Sequence, residues 1–218
     1  MHIPDGVISA AVAAGSYVVA GAVTYYSVNK INKAGNGQEQ VPKAALLTAA
    51  FFVTSLIHIP IPPTSVHLLL SGLIGALLGY FAMPAILVGL ILQAIMFGHG
   101  GLTTIGVNAI ILGVPALVSY HVFELIKNRV SGSTGLSVAG FVAGGLGIGL
   151  SVLLFFGILI TTIPADMLDA DLERQAIMTL TLAHLPLILV EGGATAMLVN
   201  YLSKVKPKLL QGLSNARA

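Results

Sequence analysis

A chain of 218 residues that is 56% hydrophobic and only 8% charged, with a mean hydropathy of +0.95, lies far from the soluble norm of about 25% charged residues. This is the composition of an integral membrane protein, and its length suits roughly six to eight membrane helices of about 20 residues each. A net charge of +2 with no basic patch interleaved with aromatics gives no basis for a nucleic-acid surface, and zero cysteines exclude disulfides and thiolate metal sites.

The chain opens Met1-His2-Ile3-Pro4-Asp5-Gly6. The residues that follow lack the pattern of a cleavable signal, and with a residue as large as His at position 2 Met1 is expected to stay attached. If the amine of Met1 is free, that nitrogen, the His2 amide nitrogen and the His2 imidazole can close a five-membered and a six-membered chelate ring around one ion. Three nitrogens then share a plane, which suits Ni(II) or Cu(II) rather than tetrahedral Zn(II) or the oxygen-seeking Mg(II) and Ca(II). Pro4 disfavours helix at Ile3, and Pro-Asp-Gly is turn chemistry that folds the end back on the helix that follows.

Residues 7–28 form an apolar run that would rise ~33 Å as a helix and is the first expected span. Residues 29–42 read as a polar loop. A second span is expected over 43–59, followed by the non-helical connector Pro60-Ile61-Pro62-Pro63-Thr64. Third and fourth spans over 65–81 and 84–97 are short, with a tight turn marked by Pro84. The glycine loop Phe97-Gly98-His99-Gly100-Gly101 leads to a fifth span over 103–124, kinked at Pro115. The sixth, 138–163, carries glycines at small-xxx-small spacing, and the seventh covers 179–202. The expectation is one all-α transmembrane domain over 1–218.

With seven spans and the amino terminus outside, nine of the ten basic residues fall on the cytoplasmic side and Arg174 is the exception, so the carboxyl terminus is cytoplasmic. The same topology gathers His2, His58, His67, His99 and His184 at the outer end and leaves His121 inside. A fourth nitrogen for the plane could come from His67 or His58, which flank the same connector, and spacing does not rank them. His99 is a candidate entry ligand and His184 a candidate interfacial residue. Thr64, Ser65, Gln93, Thr104 and Asn108 are candidates to orient the ligands from behind. Glu191, two turns inside the last span from His184, is costly unless paired or protonated and is therefore a functional candidate.

The amino-terminal motif, the stretch from Pro60 to Leu68, the segment from Phe97 to Thr103 and the stretch from His184 to Gly192 together resemble the CbiM/NikM family, over residues 1 to about 200. These are substrate-capture membrane subunits of energy-coupling-factor transporters for cobalt and nickel. The resemblance implies a six-helix core with an added amino-terminal helix, and a planar nitrogen set from Met1, His2 and His67. It also implies that Ala45 and Ala49 help dock a transmembrane coupling subunit. The expected function is high-affinity Ni(II) or Co(II) uptake, nickel preferred, in a prokaryotic cytoplasmic membrane, with the ion as cargo and no organic cofactor. The chain contains no G-x-x-x-x-G-K-[ST] loop, so separate ATPase subunits are expected to supply energy, with a small accessory membrane subunit a possible companion. Two other readings are a self-sufficient secondary carrier, for which inverted repeats are missing, and an intramembrane metallohydrolase, for which a His-Glu-x-x-His helix is missing.

Overall fold

The computed structural model describes residues 2–35, 37–61, 64–162 and 170–210. Seven α-helices occur among them: α1 (Ala10–Ala34), α2 (Gly37–Thr54), α3 (Ser71–Leu78), α4 (Ala82–Phe97), α5 (Ile105–Arg129), α6 (Gly132–Thr162) and α7 (Ala170–Val205). A short hairpin, β1 (Ile59–Ile61) paired antiparallel with β2 (Thr64–Val66), interrupts them after α2. Five segments are long and apolar enough to cross a membrane: Ala10–Ala34, Ser71–Phe97, Ile105–Arg129, Gly132–Thr162 and Arg174–Val205. Their outer surfaces expose Val18, Tyr25, Leu189 and Met197, which is the apolar exterior that lipid solvates.

Helix ends follow local chemistry. Ser9 caps α1 by accepting from the Val12 amide, and the helix runs on to Ala34, into the polar stretch 29–42 that reads as a loop, until Gly35 adopts a left-handed conformation. α2 then takes in Pro42 and stops at Thr54, earlier than expected, because the chain must extend toward Pro60.

The Ser71–Phe97 segment is a hairpin rather than one straight helix. A methyl at Gly75 would meet Ala116 of α5 and one at Gly79 would meet Tyr120, whereas Met83 lies against Gly113, so the chain reverses along α5 after Gly79. Gly79 has φ +57, a conformation open to glycine, and a 3₁₀ turn over Gly79–Phe81 completes the reversal. The turn therefore precedes Pro84, which sits in the first turn of α4, where a missing N–H is tolerated.

Small residues let α3 occupy the centre, with all eight of its residues buried. A Cβ on Gly72 would fall 2.2 Å from the Ala143 carbonyl oxygen of α6, and one on Gly75 would fall 2.0 Å from that of Ala116. A Cβ on Gly144 of α6 would fall 2.5 Å from Thr195 Oγ1 and 2.6 Å from the Glu191 carbonyl oxygen of α7, so the small-xxx-small spacing lies at the contacts of α3 and α6 with their neighbours. Lys33, Lys43 and Lys127 fall at the end of the bundle where α1 and α5 finish and α2 begins. Lys43 Nζ donates to the Leu209 carbonyl at 3.0 Å there.

Gly75→Ala should lower the thermal unfolding midpoint in detergent, with overpacking costing about 1–3 kcal/mol. Gly21→Ala, where a methyl meets no neighbour within 4 Å, should leave it unchanged or slightly raised. Equal midpoints for the two variants would contradict the packing described.

Candidate metal centre

The amino-terminal segment is fastened to the start of α5 by its own backbone. Asn108 accepts from the Ile3 amide at 2.8 Å and donates back to the Ile3 carbonyl at 3.0 Å, while the Thr104 hydroxyl donates to the same carbonyl at 2.7 Å. Ile3, Thr104 and Asn108 are all buried, so these bonds lie away from competing water. Two residues on, the Asp5 carboxylate accepts from the Thr103 amide at 2.9 Å, the Leu102 amide at 3.2 Å and the Thr103 hydroxyl. This is a favourable place for a negative charge, because the Leu102 and Thr103 amides just ahead of α5 point toward it. The Thr103 hydroxyl first, then the amides of Thr103, Leu102 and Thr104, hold the Asp5 carboxyl below its usual range. Glycines make the approach possible: a Cβ at Gly101 would lie 2.1 Å from Asp5 Oδ1, and Gly100, at φ +80, packs beside His2.

The hairpin delivers two more histidines. Its register pairs Ile59 with Val66, so His58, just before β1, and His67, just after β2, sit side by side. Their ring centroids are 5.6 Å apart. His67 is buried at 3% exposure and stacks on His2 at 5.2 Å, with the planes inclined by 22°. His99, on the loop after α4, completes the group at 4.5 Å from His2 and 5.4 Å from His67. One ring nitrogen each from His2, His67 and His99 lies within 4.8 Å of the other two.

Tautomers follow from the neighbours. His67 Nδ1 lies 3.1 Å from the Leu68 carbonyl and His58 Nδ1 lies 3.0 Å from that of Leu56. Carbonyls only accept, so each Nδ1 carries the proton and each Nε2 keeps its lone pair. His2 Nδ1 and His99 Nε2 are 3.0 Å apart and share one proton. Burial, reinforced by the neighbouring imidazoles, holds His2 well below the ordinary histidine value, and burial lowers His67 to about 2 and His99 to about 4. The three rings are therefore neutral at neutral pH and offer nitrogen lone pairs to a cation.

Glu191 of α7 supports this loop from below. Its carboxylate accepts from the Leu69 amide and, with both oxygens, from the Leu70 amide at 3.1 and 3.2 Å. Leu70 has φ +53, a strained conformation for a branched side chain costing about 1–2 kcal/mol, and these bonds hold it there. The sequence flags Glu191 as costly but does not name these partners.

The other candidates separate. Gln93, fully buried, donates to Ser55 at 2.6 Å and so ties α4 to the end of α2, while its backbone carbonyl accepts from the His99 amide at 3.2 Å. His184, buried, turns its Nδ1 to the Leu180 carbonyl of its own helix at 2.7 Å and makes no ring contact with the four grouped histidines among the described residues. Met1 and the side chains of Thr64 and Ser65 lie outside the described residues. Ala45 and Ala49 line an apolar groove of about 1120 Å³ between α1, α2 and α4, whose lining includes none of the histidines.

Replacing Asn108 with Leu should free the Ile3 amide, raising its hydrogen exchange at least tenfold, a loss of about 1.4 kcal/mol. An unchanged exchange rate would mean that Asn108 does not hold the segment.

Residues 2–209 match the family model described as the cobalt uptake substrate-specific transmembrane region, CbiM. A putative metal transport protein of Haemophilus influenzae is 30% identical, over 99% of both chains. The fused nickel transport protein NikMN of Rhodobacter capsulatus is 33% identical over 96% of this chain and 64% of its own length. Among solved structures, a transition metal transporter superposes with a TM-score of 0.73 at 24% identity, covering 94% of this chain and 93% of that one, a likeness of fold. With the model spanning nearly its whole length, this chain belongs to the CbiM family.

Proposed function

We propose that this protein captures Ni(II) or Co(II) as the substrate-specific membrane subunit of an energy-coupling-factor transporter, with the ion held in a plane by the Met1 amine, the amide and imidazole nitrogens of His2, and His67 Nε2. The observation that carries the reading is the fastening of Ile3 by Asn108 and Thr104, which fixes the chain immediately after His2 beside the buried ring of His67. Family membership supports it, as do the names of relatives described as nickel and cobalt transport proteins. A strong-field set of four nitrogens fits Ni(II) better than Co(II), so nickel is the preferred cargo. Asn108 and Thr104 orient the ligands through the backbone, and Glu191 orients His67 through the Leu69 and Leu70 amides.

In the proposed topology seven helices cross the cytoplasmic membrane of a prokaryote, with the amino terminus outside and the carboxyl terminus inside. α1 is the addition, and the remaining six form the core. The groove containing Ala45 and Ala49 receives the coupling subunit, through which separate ATPase subunits act. The small side chains there permit close helix approach.

Protein purified with its native terminus should hold one nickel ion with the absorption of a planar, low-spin complex. A variant with one alanine inserted between Met1 and His2 should hold none, because the fused chelate rings cannot close. Equal occupancy of the two would reject the planar site.

Affinity should also fall steeply with acid. Burial holds the ligand imidazoles below this range, His2 well under its ordinary value and His67 at about 2, so between pH 5 and pH 7 the main competition comes from the amine and the amide. With an amine pKa of about 7.7–8.0, each ion displaces two protons below that value, and affinity should change about 100-fold per pH unit. Above pH 8 the slope should halve on a logarithmic scale. A flat profile in competition titrations would show that imidazoles alone hold the ion.

A further inference from the structure

The planar set uses two imidazoles, yet four are gathered. The inference drawn from the surplus rests on that reading of the site. A six-membered ring through the His2 amide nitrogen contains the metal, that nitrogen, Cα, Cβ, Cγ and Nδ1, so the His2 nitrogen that must bind the ion is Nδ1. In the structure that atom is already engaged, 3.0 Å from His99 Nε2. A hydrogen bond and a coordinate bond use the same direction in space, so loading the plane requires this contact to break. The other His2 nitrogen, Nε2, is buried without a hydrogen-bond partner among the described residues.

Exposure grades across the cluster. His58 is exposed, His99 and His2 are half-buried, and His67 is almost fully covered. His58 lies 5.7 Å from His99, ring to ring, and its Nε2 keeps its lone pair because Nδ1 is given to Leu56. His99 Nε2 and His2 Nδ1 are 3.0 Å apart, less than twice a metal to nitrogen bond of about 2 Å, so one ion can touch both during transfer.

We propose that His99 is the first ligand of the incoming ion and the latch over the plane, with His58 as its exposed companion. The ion takes the lone pair of His99 Nε2, and the proton shared with His2 moves to the far nitrogen of the ring that carries it, so both rings stay neutral. The ion then bonds to His2 Nδ1 as its bond to His99 breaks, while the amine and the His2 amide release their protons to water. His99 is thus a transfer ligand and not a member of the final set.

The test measures rate and equilibrium separately, by stopped-flow mixing of Ni(II) with the purified full chain bearing its native terminus. His99→Gln keeps a donor able to reach His2 but binds nickel weakly. Its association rate should fall at least tenfold, while one ion per chain and the planar low-spin absorption are retained. His58→Ala should slow loading by a smaller factor. An unchanged rate in His99→Gln would overturn the proposal, and so would loss of the ion or a shift to a paramagnetic, higher-coordinate spectrum, which would make His99 a permanent ligand. The planar reading itself is judged by different variants: retention of nickel in His2→Ala or His67→Ala defeats that reading whatever the rates at His99.

Discussion

Ile3 is held to α5 through both of its backbone polar groups, and nearly everything at this end of the molecule depends on that exchange with Asn108. Chain termini are ordinarily disordered, because fixing each backbone residue costs about 1–2 kcal/mol with little to offset it. Here the offset is local and buried. Ile3 contributes a fully covered side chain, Asn108 and Thr104 satisfy its amide and carbonyl, and Asp5 adds its charge to the amides that open α5. Removing Asn108 leaves the buried Ile3 amide unpaired, while Thr104 and Asp5 add separate bonds on either side of it, so the segment is held at several adjoining points.

The second half of the cluster depends on a register. Because Ile59 pairs with Val66, residues one step beyond each strand become neighbours, and both are histidines. A slip of one residue would turn one of them away. Beyond β2 the chain enters α3 through Leu70 in a left-handed conformation, and Glu191 stabilises that bend by accepting from two successive amides. An acidic residue deep in an apolar helix thereby has a structural use: it fixes the exit from the loop that carries His67.

Periodicity and apolar length made most of the helices legible, and the motif at residues 1–6 pointed to the end of the bundle where histidines collect. Missed features fall into two physical kinds. One is backbone geometry inside an unbroken apolar run, such as the reversal at Gly79, where Pro84 draws the eye but a positive φ does the turning. The other is pairing over about a hundred residues of separation: Ile3 with Asn108, Asp5 with Thr103, His2 with His99 and Glu191 with Leu69. Residue type shows that each of these groups needs a partner. Only the packing of α5 and α7 against the two loops shows which.

These loops do not share one support. His2 and His99 rest on the beginning of α5 and the end of α4, whereas His67 rests on α3 and, through Glu191, on α7. The distance between His2 and His67 therefore depends on how α5, α6 and α7 pack around α3, and glycines make the close approaches: Gly75 of α3 against α5, Gly72 of α3 against α6, and Gly144 of α6 against α7. Such contacts either fit or separate, since close-packed surfaces deform little. A displacement of α7 from α3 removes the acceptor from Leu69 and Leu70, relaxes the strained bend at Leu70 and moves His67 with it. The spacing of the histidines and the helix packing in the middle of the bundle are in this way one mechanical variable, and whatever changes the second moves the imidazoles at the first.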